Sequence, residues 1–306
     1  MNITNGHAPD PALTSANLIM VCGAARSGTT MLDLMLGSSD DAVSTGEIFA
    51  YFRPYMKHHF SPECSCGNPN CTFWHGLLDP PESQFHSRII QQRAEINTVV
   101  DSSKDLRWVL DSNKWAAECG LPVKNVVIWK NPIDLSYSHW KRGEKVSTYR
   151  RMFVNYYGRF LDIELPFVAI NYSTLVTETK STLLELCDLL SLPYDESRIN
   201  FWGKQHHHFF GSAGTGKQVG SASSSIKSRT DFPDEFATLF KKETTWLNTN
   251  KKFKRIVSRL MANDLKNKPD LLGKPDLNGL RPIWYYRHAA KSALRKRFPS
   301  NMEPPR

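Results

Sequence analysis

Five consecutive apolar residues, Leu18-Ile19-Met20-Val21-Cys22, run straight into the turn Gly23-Ala24-Ala25-Arg26-Ser27-Gly28-Thr29-Thr30. Beyond it Met31, Leu32, Leu34, Met35 and Leu36 fall on a broad helical stripe that stops at Gly37. An unbroken apolar run this short suits a strand buried on both faces, the situation of strands in a parallel sheet covered by helices. Glycine just past the last apolar position is a common helix stop. A chain that begins with strand, glycine turn and helix is directed towards an α/β fold.

The alternation continues downstream. Thr98-Val99-Val100 leads into Asp101-Ser102-Ser103-Lys104 and a helical stretch to about Cys119. Val126-Val127-Ile128-Trp129 leads through Asn131-Pro132 into a helix through Trp140. Phe167-Val168-Ala169-Ile170 precedes an amphipathic stretch carrying Leu175, Leu183, Leu184, Leu186, Leu189 and Leu190, which ends before Pro193. Strands alternating with helices predict a central parallel sheet flanked by helices. With 306 residues, the chain fits a single domain over 18–300 behind a flexible polar leader over 1–17 that contains Pro9 and Pro11. From Asp234 to about Arg297 the pattern predicts helices with basic faces. A hydrophobic fraction of 40% and a charged fraction of 23% exclude disordered and collagen-like chains. No stretch approaches the ~20 apolar residues of a membrane span. The N-terminus also lacks the basic and apolar regions of a signal peptide. A cytoplasmic chain is expected.

At the turn after Cys22, free backbone N–H groups and the positive end of a helix dipole converge, and glycine lets the backbone approach a ligand closely. The expected ligand is a phosphate. Against the G-x-x-x-x-G-K-[ST] loop of nucleoside triphosphatases, both glycines are correctly spaced, but Thr29 occupies the lysine position and Arg26 supplies the cation. No apolar strand ends in a magnesium-type acidic residue either. Triphosphate chemistry is therefore disfavoured, and a small-molecule kinase remains only an alternative.

Arg26-Ser27-Gly28-Thr29-Thr30 after a strand resembles the 5′-phosphosulfate loop of sulfotransferases that use 3′-phosphoadenosine 5′-phosphosulfate (PAPS). Lys130-Asn131-Pro132-Ile133-Asp134-Leu135-Ser136-Tyr137-Ser138 resembles the family's R-N-P-x-D-x-x-x-S element for the 3′-phosphate, with lysine where arginine is usual. The resemblance covers roughly residues 18 to 190, including Ile170-Asn171-Tyr172 with Leu175, and its fold would be that of P-loop-like proteins. It implies PAPS as sulfuryl donor, adenosine 3′,5′-bisphosphate as product, and no obligatory metal. Arg26, Ser27, Gly28, Thr29 and Thr30 would hold the 5′-phosphate and sulfonate. Lys130 and Ser138 would hold the 3′-phosphate, with Arg142, Lys217 and Arg229 as candidates to share it. Glu47, in Ser44-Thr45-Gly46-Glu47, resembles the base of the glutamate branch, which includes bacterial and Golgi enzymes. His58, His59 and His139 are the alternatives should the base be histidine. Lys104 resembles the lysine that contacts the bridging oxygen of the leaving phosphate. The family's R-K-G-x-x-G loop is absent, and the glycine- and serine-rich 211–225 stretch is expected to replace it over the nucleotide. The acceptor would be a hydroxyl or amine of a small metabolite or glycan. The segments Phe49 to Tyr55, the cysteine loop and Tyr149 to Tyr157 are where it is expected.

Lys+Arg 39 against Asp+Glu 30 leaves a net charge of +9, which by itself fits nucleic acid, a membrane surface or a small polyanion. Cys64, Cys66, Cys71 and His75 crowd into the 64–75 loop, where zinc, a disulfide through Cys71 and free thiols all remain open. A zinc-loop nucleic-acid module is the alternative from another class. No nucleic-acid partner and no metal ligand is assigned. His206-His207-His208 read as loop residues near the nucleotide or acceptor. The basic tail with Arg281, Arg287, Lys291, Arg295, Lys296 and Arg297 reads as a solvated helix face.

Overall fold

In a computed structural model, which describes residues 10–79, 81–212, 215, 219 and 231–271, five strands form one all-parallel sheet. They are β1 (Asn17–Cys22), β2 (Ala42–Ser44), β3 (Thr98–Asp101), β4 (Val123–Trp129) and β5 (Phe167–Asn171), in the order β2-β3-β1-β4-β5. The α/β expectation holds. β1 lies at the centre because it is apolar at every turn of the pleat. Leu18, Met20 and Cys22 enter one hydrophobic cluster, and Ile19 and Val21 enter another on the opposite side. Burying each of these large side chains contributes ~1.5–3 kcal/mol.

Helices cover both faces. Thr29–Leu36 and Thr179–Leu189 pack with the Ile19 cluster; Phe85–Gln92, Leu106–Cys119, Thr148–Leu161 and Lys251–Ala262 pack with the Leu18 cluster. Leu106–Cys119 starts where the Asp105 carboxylate accepts from the Arg107 and Trp108 amides, and ends at Gly120 in the left-handed region (φ 77°). Both are ordinary helix end devices.

Several expectations change. The leader is ordered from Asp10: Pro11–Thr14 form a helical turn capped by the Asp10 side chain, and Leu13 and Ala16 are buried in the core. Residues 1–9 lie outside the described residues. Strand β2 and the helix Thr148–Leu161 were not anticipated. The helix expected over Leu175 to Leu190 is two, Tyr172–Thr177 and Thr179–Leu189, because Glu178 departs from helical geometry (φ −124°, ψ 44°). Helices Asp234–Lys241, Thr244–Thr249 and Lys251–Ala262 occupy the C-terminal region as expected. The basic tail beyond it lies outside the described residues. Among those residues, no helix is long and apolar enough to cross a membrane.

Candidate active site

The order β2-β3-β1-β4 puts the carboxyl ends of four neighbouring strands side by side, about 4.8 Å apart per step. From them issue Glu47, Lys104, the Gly23 to Thr30 loop and Lys130, so residues scattered over the sequence share one edge of the sheet.

The loop after β1 is shaped from behind by two tyrosines of the Thr148–Leu161 helix. The Tyr156 hydroxyl accepts from the Gly23 amide (3.0 Å). The Tyr157 hydroxyl accepts from the Ala24 amide (3.2 Å) and donates to the Ile128 carbonyl (2.9 Å). Ser27 Oγ lies 2.8 Å from the same hydroxyl and donates to it. Tyr157 thus uses its one proton and both lone pairs, and the loop has little freedom left. Arg26 and Gly28 are both left-handed (φ 73° and 103°). A Cβ on Gly28 would stand 2.5 Å from the Tyr172 ring, so only glycine fits there.

Arg26 faces the start of the glycine- and serine-rich stretch. Its Nη1 donates to Ser212 Oγ (3.2 Å), while its buried Nε has no partner among the described residues. Burial, reinforced by the like charge of Arg142, pulls its guanidinium below the ordinary value. The Ser212 amide donates to Thr30 Oγ1 (3.1 Å), which brings Gly211 and Ser212 against the first turn of Thr29–Leu36. Lys217 and Arg229 lie outside the described residues.

Lys130 stands 3.7 Å over the Tyr172 ring, the same ring that touches Gly28. Burial pulls its ammonium down to about 8; Asp134 opposes this, and Arg26 and Lys141 add to it. Ser138 is half-buried on the helix Pro132–Trp140, and Arg142 is exposed just beyond it.

On the other side of the loop, Glu47 and Lys104 form an ion pair with side chains 18% and 19% exposed. Lys104 is left-handed (φ 59°) and precedes its helix by two residues. Glu47 is held by its backbone: its amide donates to the Phe209 carbonyl (2.8 Å), and a Cβ on Gly46 would fall 2.3 Å from that oxygen. The candidate histidines are differently occupied. His59 Nδ1 accepts from the Tyr55 and Met56 amides, His139 pairs with Glu144 (3.1 Å), and His58 is exposed.

Two buried carboxyl groups missed in the sequence support this edge. Asp33 Oδ2 accepts from Ser44 Oγ (2.7 Å) and Ser102 Oγ (3.1 Å), and burial pushes its carboxyl up to about 8. Asp101 ends the apolar strand β3 beside β1, so the expectation that no apolar strand ends in an acidic residue fails; its carboxylate is engaged by Trp108 Nε1 (2.7 Å), His86 Nε2 (2.8 Å) and the Ser103 amide (2.8 Å). A lone acid inside the apolar stripe Met31 to Leu36 was the available signal for Asp33.

Two clefts adjoin these residues. One of about 320 Å³ has Lys104, Arg107, Arg151, Met152, Asn155 and Tyr156 on its walls. A larger one, of about 710 Å³, is bordered by Tyr51, Cys64, Cys71, Trp74 and Phe209. All three segments expected near the acceptor therefore border a cleft, although Tyr149, Phe153 and Tyr157 themselves are buried. The cysteine loop gathers Cys64, Cys66 and Cys71, but the imidazole that joins them is His207 rather than the expected His75.

No family model and no curated protein matches the chain. Among solved structures, the sulfotransferase domain from the Synechococcus PCC 7002 olefin synthase aligns at 14% identity over 74% of this chain and 94% of that one, with a TM-score of 0.46. The sulfotransferase domain from the curacin biosynthetic pathway aligns at 18% identity over 81% of this chain and 98% of that one, with a TM-score of 0.49.

Proposed function

We propose that the protein is a sulfotransferase that moves a sulfuryl group from PAPS to a hydroxyl or amine. The observation that carries this reading is the common edge on which Arg26, Lys130 and the Glu47–Lys104 pair meet. The residues fit the donor: Arg26 Nε is buried without a partner among the described residues, Gly28 leaves no room for a side chain, and Lys130 is a cation held away from water. PAPS supplies an activated sulfuryl group on a leaving phosphate.

This chain's residues do the rest. Arg26, the amides at the start of Thr29–Leu36 and the Thr29 and Thr30 hydroxyls hold phosphate and sulfonate oxygens. Lys130, with Ser138 and Arg142, holds the 3′-phosphate. Glu47 takes the proton of the acceptor as its oxygen or nitrogen bonds to sulfur, and Lys104 neutralises the bridging oxygen as the sulfur–oxygen bond breaks. In the free protein these last two neutralise each other, so the donor must separate them. The acceptor, a small metabolite or glycan, enters by the 320 Å³ cleft, because Lys104 lies on its wall.

The test is calorimetric titration with adenosine 3′,5′-bisphosphate against ATP with magnesium, then transfer of labelled sulfate to an acceptor library. Preference for ATP sinks the proposal. Glu47→Gln should keep its affinity for the bisphosphate and lose turnover about a hundred- to ten-thousand-fold; unchanged turnover removes Glu47 as the base.

A further inference from the structure

We propose that Cys64, Cys66, Cys71 and His207 bind one zinc ion that fastens the cysteine loop to the segment leading into the glycine- and serine-rich stretch. One ligand atom from each lies within 4.8 Å of all the others. His207 Nδ1 is 3.6 Å from Cys64 Sγ and 3.4 Å from Cys71 Sγ. A tetrahedral ion with zinc–sulfur bonds of about 2.3 Å and a zinc–nitrogen bond of about 2.1 Å sets sulfur and nitrogen about 3.6 Å apart. Three thiolates and one imidazole form a closed, structural donor set with no position left for substrate. A disulfide would join only two sulfurs, at about 2.05 Å, and would leave the imidazole between two thiols unexplained.

The surroundings fit a metal ligand. The Phe73 ring stacks on the His207 ring, centroids 4.6 Å apart and 6° from parallel, which fixes the imidazole plane. Ser65, between two of the cysteines, binds the same strip of chain: its amide donates to the His208 carbonyl (3.0 Å) and its hydroxyl to the His206 carbonyl (2.8 Å). Both segments lack helix and strand around the cluster, apart from isolated bridges at Cys64 and Phe209, so side-chain contacts such as the Trp74 ring on the Phe209 ring (5.1 Å) fasten one to the other. A coordinated ion supplies such a fastening, with the thiols giving up their protons on binding.

The fastened strip continues into the site. Phe209 accepts the Glu47 amide, and Ser212 bonds to Thr30 and Arg26. Zinc would therefore hold the backbone on which both Glu47 and the contacts of Gly211 and Ser212 with Thr30 depend. The proposal does not rest on the transfer reaction, since metal content is counted without any activity.

The test uses the full chain purified without a histidine tag. Elemental analysis should give about one zinc per chain, and cobalt substitution the charge-transfer and ligand-field bands of a tetrahedral thiolate site. Cys66→Ser and His207→Ala should lose the metal, whereas His75→Ala keeps it. A metal-free folded protein, a mass showing a disulfide among the three cysteines, or loss of zinc in His75→Ala but not in His207→Ala overturns the proposal. If the cysteine variants do not fold, zinc content and the cobalt spectrum of the unaltered chain decide it.

Discussion

Raising the pH from about 7 to about 9 should weaken binding of adenosine 3′,5′-bisphosphate, because Lys130 holds its proton poorly. Its ammonium, normally near 10.5, is pulled down to about 8 by burial. Of the neighbouring groups, Arg26 and Lys141 press the same way, and Asp134 resists. Burial pushes the Tyr172 phenol up, so the ring beneath stays neutral. Lys130 is then about nine-tenths protonated at pH 7 and about one-tenth at pH 9, which weakens binding about tenfold if the 3′-phosphate requires the charge. In the free protein the sign is opposite for folding. The unfolded chain holds this proton more tightly, so the Lys130 penalty on stability is complete below about pH 8 and is relieved as pH rises towards about 10.5. Calorimetry at both pH values, in buffers of different ionisation enthalpy, should show weaker binding and proton uptake at the higher one. Lys130→Arg keeps its charge throughout and corrects for ionisation of the ligand itself. Affinities that fall in parallel in both proteins, or not at all in the original, refute the reasoning.

Gly28→Ala must find room for a Cβ 2.5 Å from the Tyr172 ring at φ 103°, and should cost about 1–3 kcal/mol of stability along with most of the bisphosphate affinity; a melting temperature equal to that of the original chain refutes this. Asp33, whose carboxyl is pushed up to about 8, keeps a proton that the unfolded chain releases near 3.8. Its contribution is therefore full below about pH 4 and disappears as pH rises through about 8. Asp33→Asn should flatten that decline between about pH 5 and about pH 8, as read by denaturant unfolding at each pH; parallel profiles for the two proteins would mean that another group titrates.

The sequence revealed those parts of the molecule whose signals are local. β1 and the turn after it were legible because an unbroken apolar run, two glycines and a helical stripe occupy twenty residues, Leu18 to Gly37. β2 was not, since Ala42-Val43-Ser44 is too short to show a period and becomes a strand only by pairing with β3. The helix Thr148–Leu161 carries Tyr149, Phe153 and Tyr157 at every fourth position; its aromatic content suits a binding surface as well as a core, and only the spacing, a core signature, separates the two. The site candidates lie where the strand ends bring them, but what holds them does not show in any motif. His207 reaches thiols 136 and 143 positions away, and nothing in His206-His207-His208 distinguishes it from His206, bonded to the Phe201 carbonyl, or His208, bonded to Ser65.

The packing of Tyr172 on both Gly28 and Lys130 has a consequence for synthesis of the chain. The loop and Lys130 are complete in sequence before Tyr172 is made, and the ring that packs on both directly follows β5, the edge strand. A nascent or truncated chain ending at Trp140, or even at Leu161, carries every loop residue and Lys130 and still lacks the ring that packs on both. On the proposed reading, nucleotide affinity would require Tyr172, and a chain cut before it should bind adenosine 3′,5′-bisphosphate more weakly than the full chain. A ligand that recognises only the finished sheet stabilises the domain as a whole, so the proposed nucleotide would raise the melting temperature of the full chain and leave that of a chain ending before β5 unchanged.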